Sequence, residues 1–303
     1  MAVRLDVNYD SLICLFLKHL ESVESASPHT VRAYQSDLYQ AFKKVRNATF
    51  EPRLFLDFCR QAQASWSNLS QNTRNRKLGT LKSFAGYLFE KNRTTEDLRV
   101  FLSGPKNQQK IPHFISADEA IGLIKKIQSE IANCADPLEK ESLKFDYALI
   151  LLLYGGGLRV SEACNLRFKN VFPDKNALCI LGKGNKERFV AVSKIVMSAV
   201  LRLPVKGEFI WGENPLSTRK AYAQVRAWGL RADILTPLHP HALRHSFATH
   251  LLSSGASLRT LQELLGHSSL SATQKYTHVA TAQIAEMLEA HHPLAHKKIK
   301  KIG

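Results

Sequence analysis

Between Ser103 and His113 all hydrophobic periodicity in the chain stops. The stretch Ser-Gly-Pro-Lys-Asn-Gln-Gln-Lys-Ile-Pro-His is polar, carries one glycine and two prolines, and offers no face for a core to bury. In a chain of 303 residues, each flank of this interruption is long enough to build a core of its own. Two bodies are therefore expected: residues 1–104, a connector at 105–113, and residues 114–303.

The first body reads as four or five helices. Leu12, Ile13, Phe16, Leu17, Leu20 and Val23 recur at helical spacing. Ser27-Pro28 supplies a cap and a first-turn proline for a second helix with Val31, Tyr34, Leu38, Phe42 and Val45. Pro52 opens a third, with Leu54, Phe55 and Phe58. A fourth spans roughly Ser70 to Lys91 on a stripe of Leu78, Leu81, Phe84 and Leu88. Its early turns carry Arg74, Arg76, Lys77 and Lys82. That run is either an ordinary solvated helix face or the basic face of a module that clamps DNA.

Behind the connector, Ser116 and Glu119 stand at capping-box spacing. Residues Phe145–Tyr154 are apolar nearly all round and suit a central helix of the second core. Ala177–Val192 alternates instead, centred on Gly182-Lys183-Gly184-Asn185, which predicts two strands and a tight turn. Helices resume near Ser193. Among them are one opened by Pro240, one capped by Ser257 and ended by Gly266, and a short one over Ser268–Thr277. An end helix over Thr281–Leu288 is expected to dock on a neighbouring protomer through Ile284, Met287 and Leu288, or else on its own domain. The fold class is mainly α with a small β-hairpin or sheet.

A formal charge of +16 points to a polyanionic partner, most often nucleic acid; a ribosome-bound or membrane-surface protein would share that balance. Five scattered cysteines, without a C-x-x-C pair, argue against a disulfide framework and a structural zinc site. No segment qualifies as a signal core or membrane span, so a cytoplasmic protein without a membrane partner is expected.

Six side chains stand out for chemistry: Arg159 after three glycines, Lys183 at the hairpin tip, His241 and Arg244 one turn apart, His267 after Gly266, and Tyr276 among polar neighbours. Taken singly, each has a plainer use. A histidine is more often a hydrogen-bonded structural group, an arginine a surface cation, a tyrosine a core residue, and a turn lysine simply solvated. The pair His241 and His245 is not followed by the glutamate of a metalloprotease helix, and Gly155-Gly156-Gly157 lacks the lysine of a P-loop. Neither a metal nor a nucleotide cofactor is expected.

Four blocks carry a resemblance. They are Gly157-Leu-Arg-Val-Ser-Glu162, Gly182-Lys-Gly-Asn-Lys-Glu-Arg188, His241-Ala-Leu-Arg-His-Ser-Phe-Ala-Thr-His250 and Leu264-Leu-Gly-His-Ser-Ser-Leu-Ser-Ala-Thr-Gln-Lys-Tyr-Thr-His278. Together they resemble the tyrosine recombinases, most of all the bacterial Xer chromosome-dimer recombinases. The resemblance extends to Ser27–Leu38 and to Ala290-His-His-Pro-Leu-Ala295. It implies an N-terminal helical SAM-like core-binding domain and a C-terminal catalytic domain closing as a C-shaped clamp on double-stranded DNA. Basic residues Arg74, Arg76, Lys77, Lys82, Lys186 and Arg188 would contact that DNA. Tyr276 would be the nucleophile, Arg159 and Arg244 would grip the phosphate, His241 and His267 would complete the pocket, and Lys183 would protonate the leaving oxygen. The implied activity is site-specific cleavage and rejoining through a 3′-phosphotyrosine, resolving chromosome dimers at a terminus site. Four protomers, a second Xer-type recombinase and a septal DNA translocase would take part. A phage or mobile-element integrase, a type IB relaxing topoisomerase, and an architectural DNA-binding protein are the alternatives.

The chemistry suits these groups. Guanidinium forks match phosphate bidentately and answer the charge of a pentacoordinate transition state. A phenol of pKa about 10 is ionised in only about one molecule in a thousand at pH 7, a deficit of roughly 4 kcal/mol. A nearby imidazole, here His241, can accept its proton during attack.

Overall fold

The computed structural model describes residues 7–24, 26–104, 114–181, 187–257, 287, 288, 290 and 292–296. The chain divides into two compact units, Met1–Lys110 and Ile111–Gly303.

The first unit is helical. It comprises α1 (Tyr9–Ser22), α2 (Pro28–Ala41), α3 (Pro52–Ser65), α4 (Gln71–Glu90) and a short 3-10 turn, Leu98–Phe101. Side-chain caps start three of the helices: Asn8 accepts from the Ser11 N–H, Ser27 from Thr30 and Ser70 from Thr73. Helix α2 stops at Ala41, short of the expected Val45, and Phe42 drops into the core as its cap. An aromatic cluster fills the centre, with Phe42, Phe55 and Phe16 all packed around Phe84. Leu54, expected inside, is exposed, because Phe55 and Cys59 take the inner face of α3.

In the second unit, α5 (Ala117–Asn133) begins with the capping box read from Ser116 and Glu119, both halves in place at 3.2 and 2.7 Å. Helix α6 (Pro137–Tyr154) is the axis of the core, with every residue from Tyr147 to Tyr154 buried. Each large apolar side chain so buried contributes about 1.5–3 kcal/mol. Asp146, just before this buried stretch, accepts from Trp228 Nε1 at 2.8 Å and from Gln224 at 2.5 Å. Burial still holds its carboxyl above the usual range.

Next come α7 (Val160–Cys164) and a three-stranded antiparallel sheet of β1 (Val171–Phe172), β2 (Ala177–Leu181) and β3 (Glu187–Ala191). The register runs from Ala177 opposite Ala191 to Leu181 opposite Glu187. The third strand went unread because two residues carry no period. Helices α8 (Lys194–Leu201), α9 (Thr218–Arg231) and α10 (Pro240–Ser253) complete the body. Leu243, Phe247 and Leu251 of α10 are wholly buried, as their spacing predicts. Leu288 and Leu294 also belong to this core. Docking on its own domain is thus the alternative realised by Leu288, whereas Ile284 lies outside the described residues. Among the described residues no helix is long and apolar enough to cross a membrane.

Candidate active site

The turn between α6 and α7 sets up the site. Gly157 has φ +60°, and a Cβ built on it would stand 2.5 Å from the Phe247 ring. Only glycine meets both demands, the left-handed backbone and the closely packed aromatic edge. The sharp reversal places Arg159 at the N-cap of α7, where its backbone N–H donates to the Glu162 carboxylate at 2.8 Å. One helical turn thereby faces the arginine and the acid toward each other.

Three guanidiniums from three elements converge on Glu162. Arg159 Nη1 lies 2.9 Å from Oε1, Arg188 Nη1 of β3 is also 2.9 Å from Oε1, and Arg244 Nη1 of α10 stands 3.8 Å from Oε2. Arg244 instead donates to the Gly157 carbonyl at 2.5 Å. Burial works to raise the Glu162 carboxyl, but hydrogen bonds from Arg188 and from the Arg159 backbone outweigh it and hold the group below its ordinary range. Burial and then repulsion from Arg159 bring Arg244 down to about 10, against the pull of Glu162, so it is still charged at neutral pH. Within this cluster three cations face one anion, a net charge of +2, in a spot where Arg188 and Arg244 are largely desolvated. Such a spot suits a dianionic, phosphorane-like species.

Arg159 is the most open of the three, its side chain 40% exposed against 17% for Arg188 and 12% for Arg244. His241 is exposed on the first turn of α10, within ring distance of Tyr222 and His239. His239 itself caps α10, its Nδ1 accepting from the Ala242 N–H at 3.0 Å. Arg188, expected on the DNA, is turned instead to Glu162. Lys183, Lys186, His267 and Tyr276 lie outside the described residues.

The basic run of α4 divides. Lys77 is buried, with Nζ 3.0 Å from Asp37 Oδ1 and 2.6 Å from Gln40 Oε1. That corrects its placement on an outward basic face: the α4 period turns it toward α2, where Asp37 compensates its charge. Arg76 forks onto the same Asp37 while its side chain stays half exposed. Arg74 and Lys82 are partly exposed. Neither Glu162 nor Asp37 was singled out as an organiser. The readable signals were an acid three residues after Arg159 at a helix start, and a lone acid on the inner face of α2.

Farther along α10, His250 Nδ1 lies 3.0 Å from the Tyr154 hydroxyl, and His292 is wholly buried between the Tyr154 and Phe247 rings. Among the described residues, no three His, Cys, Asp or Glu side chains are grouped so as to hold a metal ion.

A helical N-terminal unit and a catalytic unit with clustered arginines define the class, and comparison with known proteins agrees. The phage integrase family model matches residues 115–283, and the model of the phage integrase N-terminal SAM-like domain matches residues 13–92. Tyrosine recombinase XerC of Thermodesulfovibrio yellowstonii is 33% identical over 306 residues, covering 95% of this chain and 98% of its own. Tyrosine recombinase XerD of Staphylococcus haemolyticus is 31% identical, with 94% and 100% covered. In fold, the chain is similar to a lambda integrase dimer solved on a COC′ core site, with a TM-score of 0.65, 15% identity, and 87% and 96% of the two chains covered. The chain belongs to the phage integrase family, as a tyrosine recombinase of the Xer type.

Proposed function

We propose that this chain cuts and rejoins double-stranded DNA at a chromosomal terminus site and so resolves chromosome dimers during cell division. In this reading the Tyr276 phenol oxygen attacks the scissile phosphorus while His241 takes the phenolic proton. The bond to the 5′-oxygen breaks, Lys183 gives that oxygen a proton, and a 3′-phosphotyrosyl ester remains. Arg159 and Arg244 hold the two non-bridging oxygens, and His267 completes the pocket. The ester keeps the energy of the original linkage, so rejoining requires neither a nucleotide nor a metal.

The observation that carries this reading is the convergence of Arg159 and Arg244, 85 positions apart in the chain, on the two oxygens of Glu162. Two guanidinium forks gathered at one carboxylate suit a single phosphate. The terminus-site reading is supported by end-to-end similarity to proteins named XerC and XerD. Four protomers on DNA, a second Xer-type recombinase, a septal translocase and a cytoplasmic setting belong to the same proposal. Arg74, Arg76 and Lys82 are its cations on α4, with Lys186 in the Gly182–Arg188 block of the sequence; their contacts should make binding fall steeply with salt.

The test is a suicide duplex carrying a terminus site nicked beside the scissile phosphate, read on a denaturing gel. The wild-type protein should form a covalent adduct. Tyr276→Phe should bind the duplex and form none; an adduct at wild-type level from that variant refutes the assignment.

A further inference from the structure

Arg188 has no part in the strand-transfer chemistry, yet it is tied to the centre of the arginine cluster. It comes from β3, a strand held in register against β2 with Ile180 as its partner, so its backbone is fixed by the sheet. Its side chain is largely buried, and its Nη1 shares Glu162 Oε1 with Arg159. Its Nε is buried without a hydrogen-bond partner among the described residues. A buried donor left idle costs about 1–3 kcal/mol, and such a cost is tolerated where another contact dictates the geometry.

Granted the strand-transfer reading above, on which this rests, we propose that Arg188 is a positioning residue. It occupies Glu162 Oε1 beside Arg159, so that Arg244 stays on the Gly157 carbonyl and turned toward the phosphate instead of closing on the carboxylate. Glu162 Oε1 receives two guanidiniums, while Oε2 receives the Arg159 N–H and leaves Arg244 at 3.8 Å, beyond hydrogen-bond reach. Without Arg188, one acceptor direction on the carboxylate opens and a like charge beside Arg244 disappears. Both changes draw Arg244 inward, away from the Gly157 carbonyl that aims it. A displacement of about 1 Å at a positioned group costs about a hundredfold in rate.

The experiment compares Arg188→Gln, Arg188→Lys, Glu162→Gln and the Arg188→Gln/Glu162→Gln pair on the nicked suicide duplex. Adduct rate and duplex affinity are measured separately, with thermal melting as a check on folding. Arg188→Gln should lose about a hundredfold in adduct rate while keeping its affinity for DNA. Arg188→Lys, which retains the charge beside Oε1, should recover most of that loss. The double variant should be impaired far less than the product of the single losses, because a neutral amide no longer attracts Arg244.

An adduct rate for Arg188→Gln close to wild type overturns the proposal, as do losses that multiply independently in the double variant. A defect confined to DNA affinity also overturns it, since Arg188 would then be a DNA contact. If Arg188→Gln fails to fold, the lysine variant and the double variant decide between the same outcomes. Wild-type protein that forms no adduct removes the underlying reading instead, so the two failures are told apart.

Discussion

Arg244 donates to the carbonyl oxygen of Gly157, two residues before Arg159, so one arginine of the site is aimed by the backbone turn that presents the other. The two cations are mechanically linked. A change at the turn moves Arg159 directly and Arg244 through its acceptor, and the Glu162 carboxylate restrains both.

Gly157→Ala should therefore damage stability and cleavage together. The left-handed backbone costs an L-residue about 1–2 kcal/mol, and the Cβ would meet the Phe247 ring at 2.5 Å. Together these should lower stability by on the order of 2–4 kcal/mol. Urea unfolding measures it. Adding Phe247→Leu should recover the steric part and leave the backbone part.

Arg244→Lys should keep DNA binding and lose cleavage by about a hundredfold or more, because one ammonium cannot bond Gly157 and grip two phosphate oxygens in a fork. Gel shift and adduct assays on the same duplex separate the two effects. Full cleavage activity would count against bidentate grip.

In the N-terminal unit, Asp37→Ala should cost about 3–5 kcal/mol, since it strands the buried Lys77 ammonium and removes the anchor of Arg76. Asp10→Ala, which breaks the part-exposed pair with Arg46, should cost about 0–1 kcal/mol. Denaturation midpoints of the two variants provide the contrast. Similar losses would mean that the Lys77 site is solvated.

Burial holds His292 down to about 4, so the folded chain keeps it neutral where an unfolded chain would protonate it. Between pH about 6.5 and 4 the unfolded state binds more protons, and stability falls as the pH is lowered through that window. The effect is on the order of 3 kcal/mol when complete. Tyr154 and His250 face the same ring contacts, and burial also lowers His250, which acts in the same direction. Melting temperature should drop between pH 7 and pH 5 in the wild-type chain, with a shallower slope in His292→Phe. Equal slopes would show that His292 is hydrated.

Much of the architecture is legible in the sequence. The apolar stripes of α1, α4 and α10, the Ser116–Glu119 box and the proline-opened helices are local signals, written within one or two turns of chain. The two strands over Ala177–Ala191 followed from alternation. Less was legible where contacts cross the sequence. The α4 period puts Lys77 in line with Leu81 and Phe84, but nothing local reveals the charge that compensates it, since Asp37 lies 40 residues away. Nor did anything mark Arg188 for Glu162 rather than for solvent.

The order of residues alone determined which types of chemistry the chain could carry: paired arginines, imidazoles, a lysine and a tyrosine in blocks that mark its family, on helices whose starts and stops are self-encoded. Which of its many cations form one site was decided only when the chain folded. Charge is a property of composition, but its effect depends on distance and solvent. Only the packing of α7, β3 and α10 brings three guanidiniums to one buried carboxylate, where water screens Arg188 and Arg244 far less than it would at the surface.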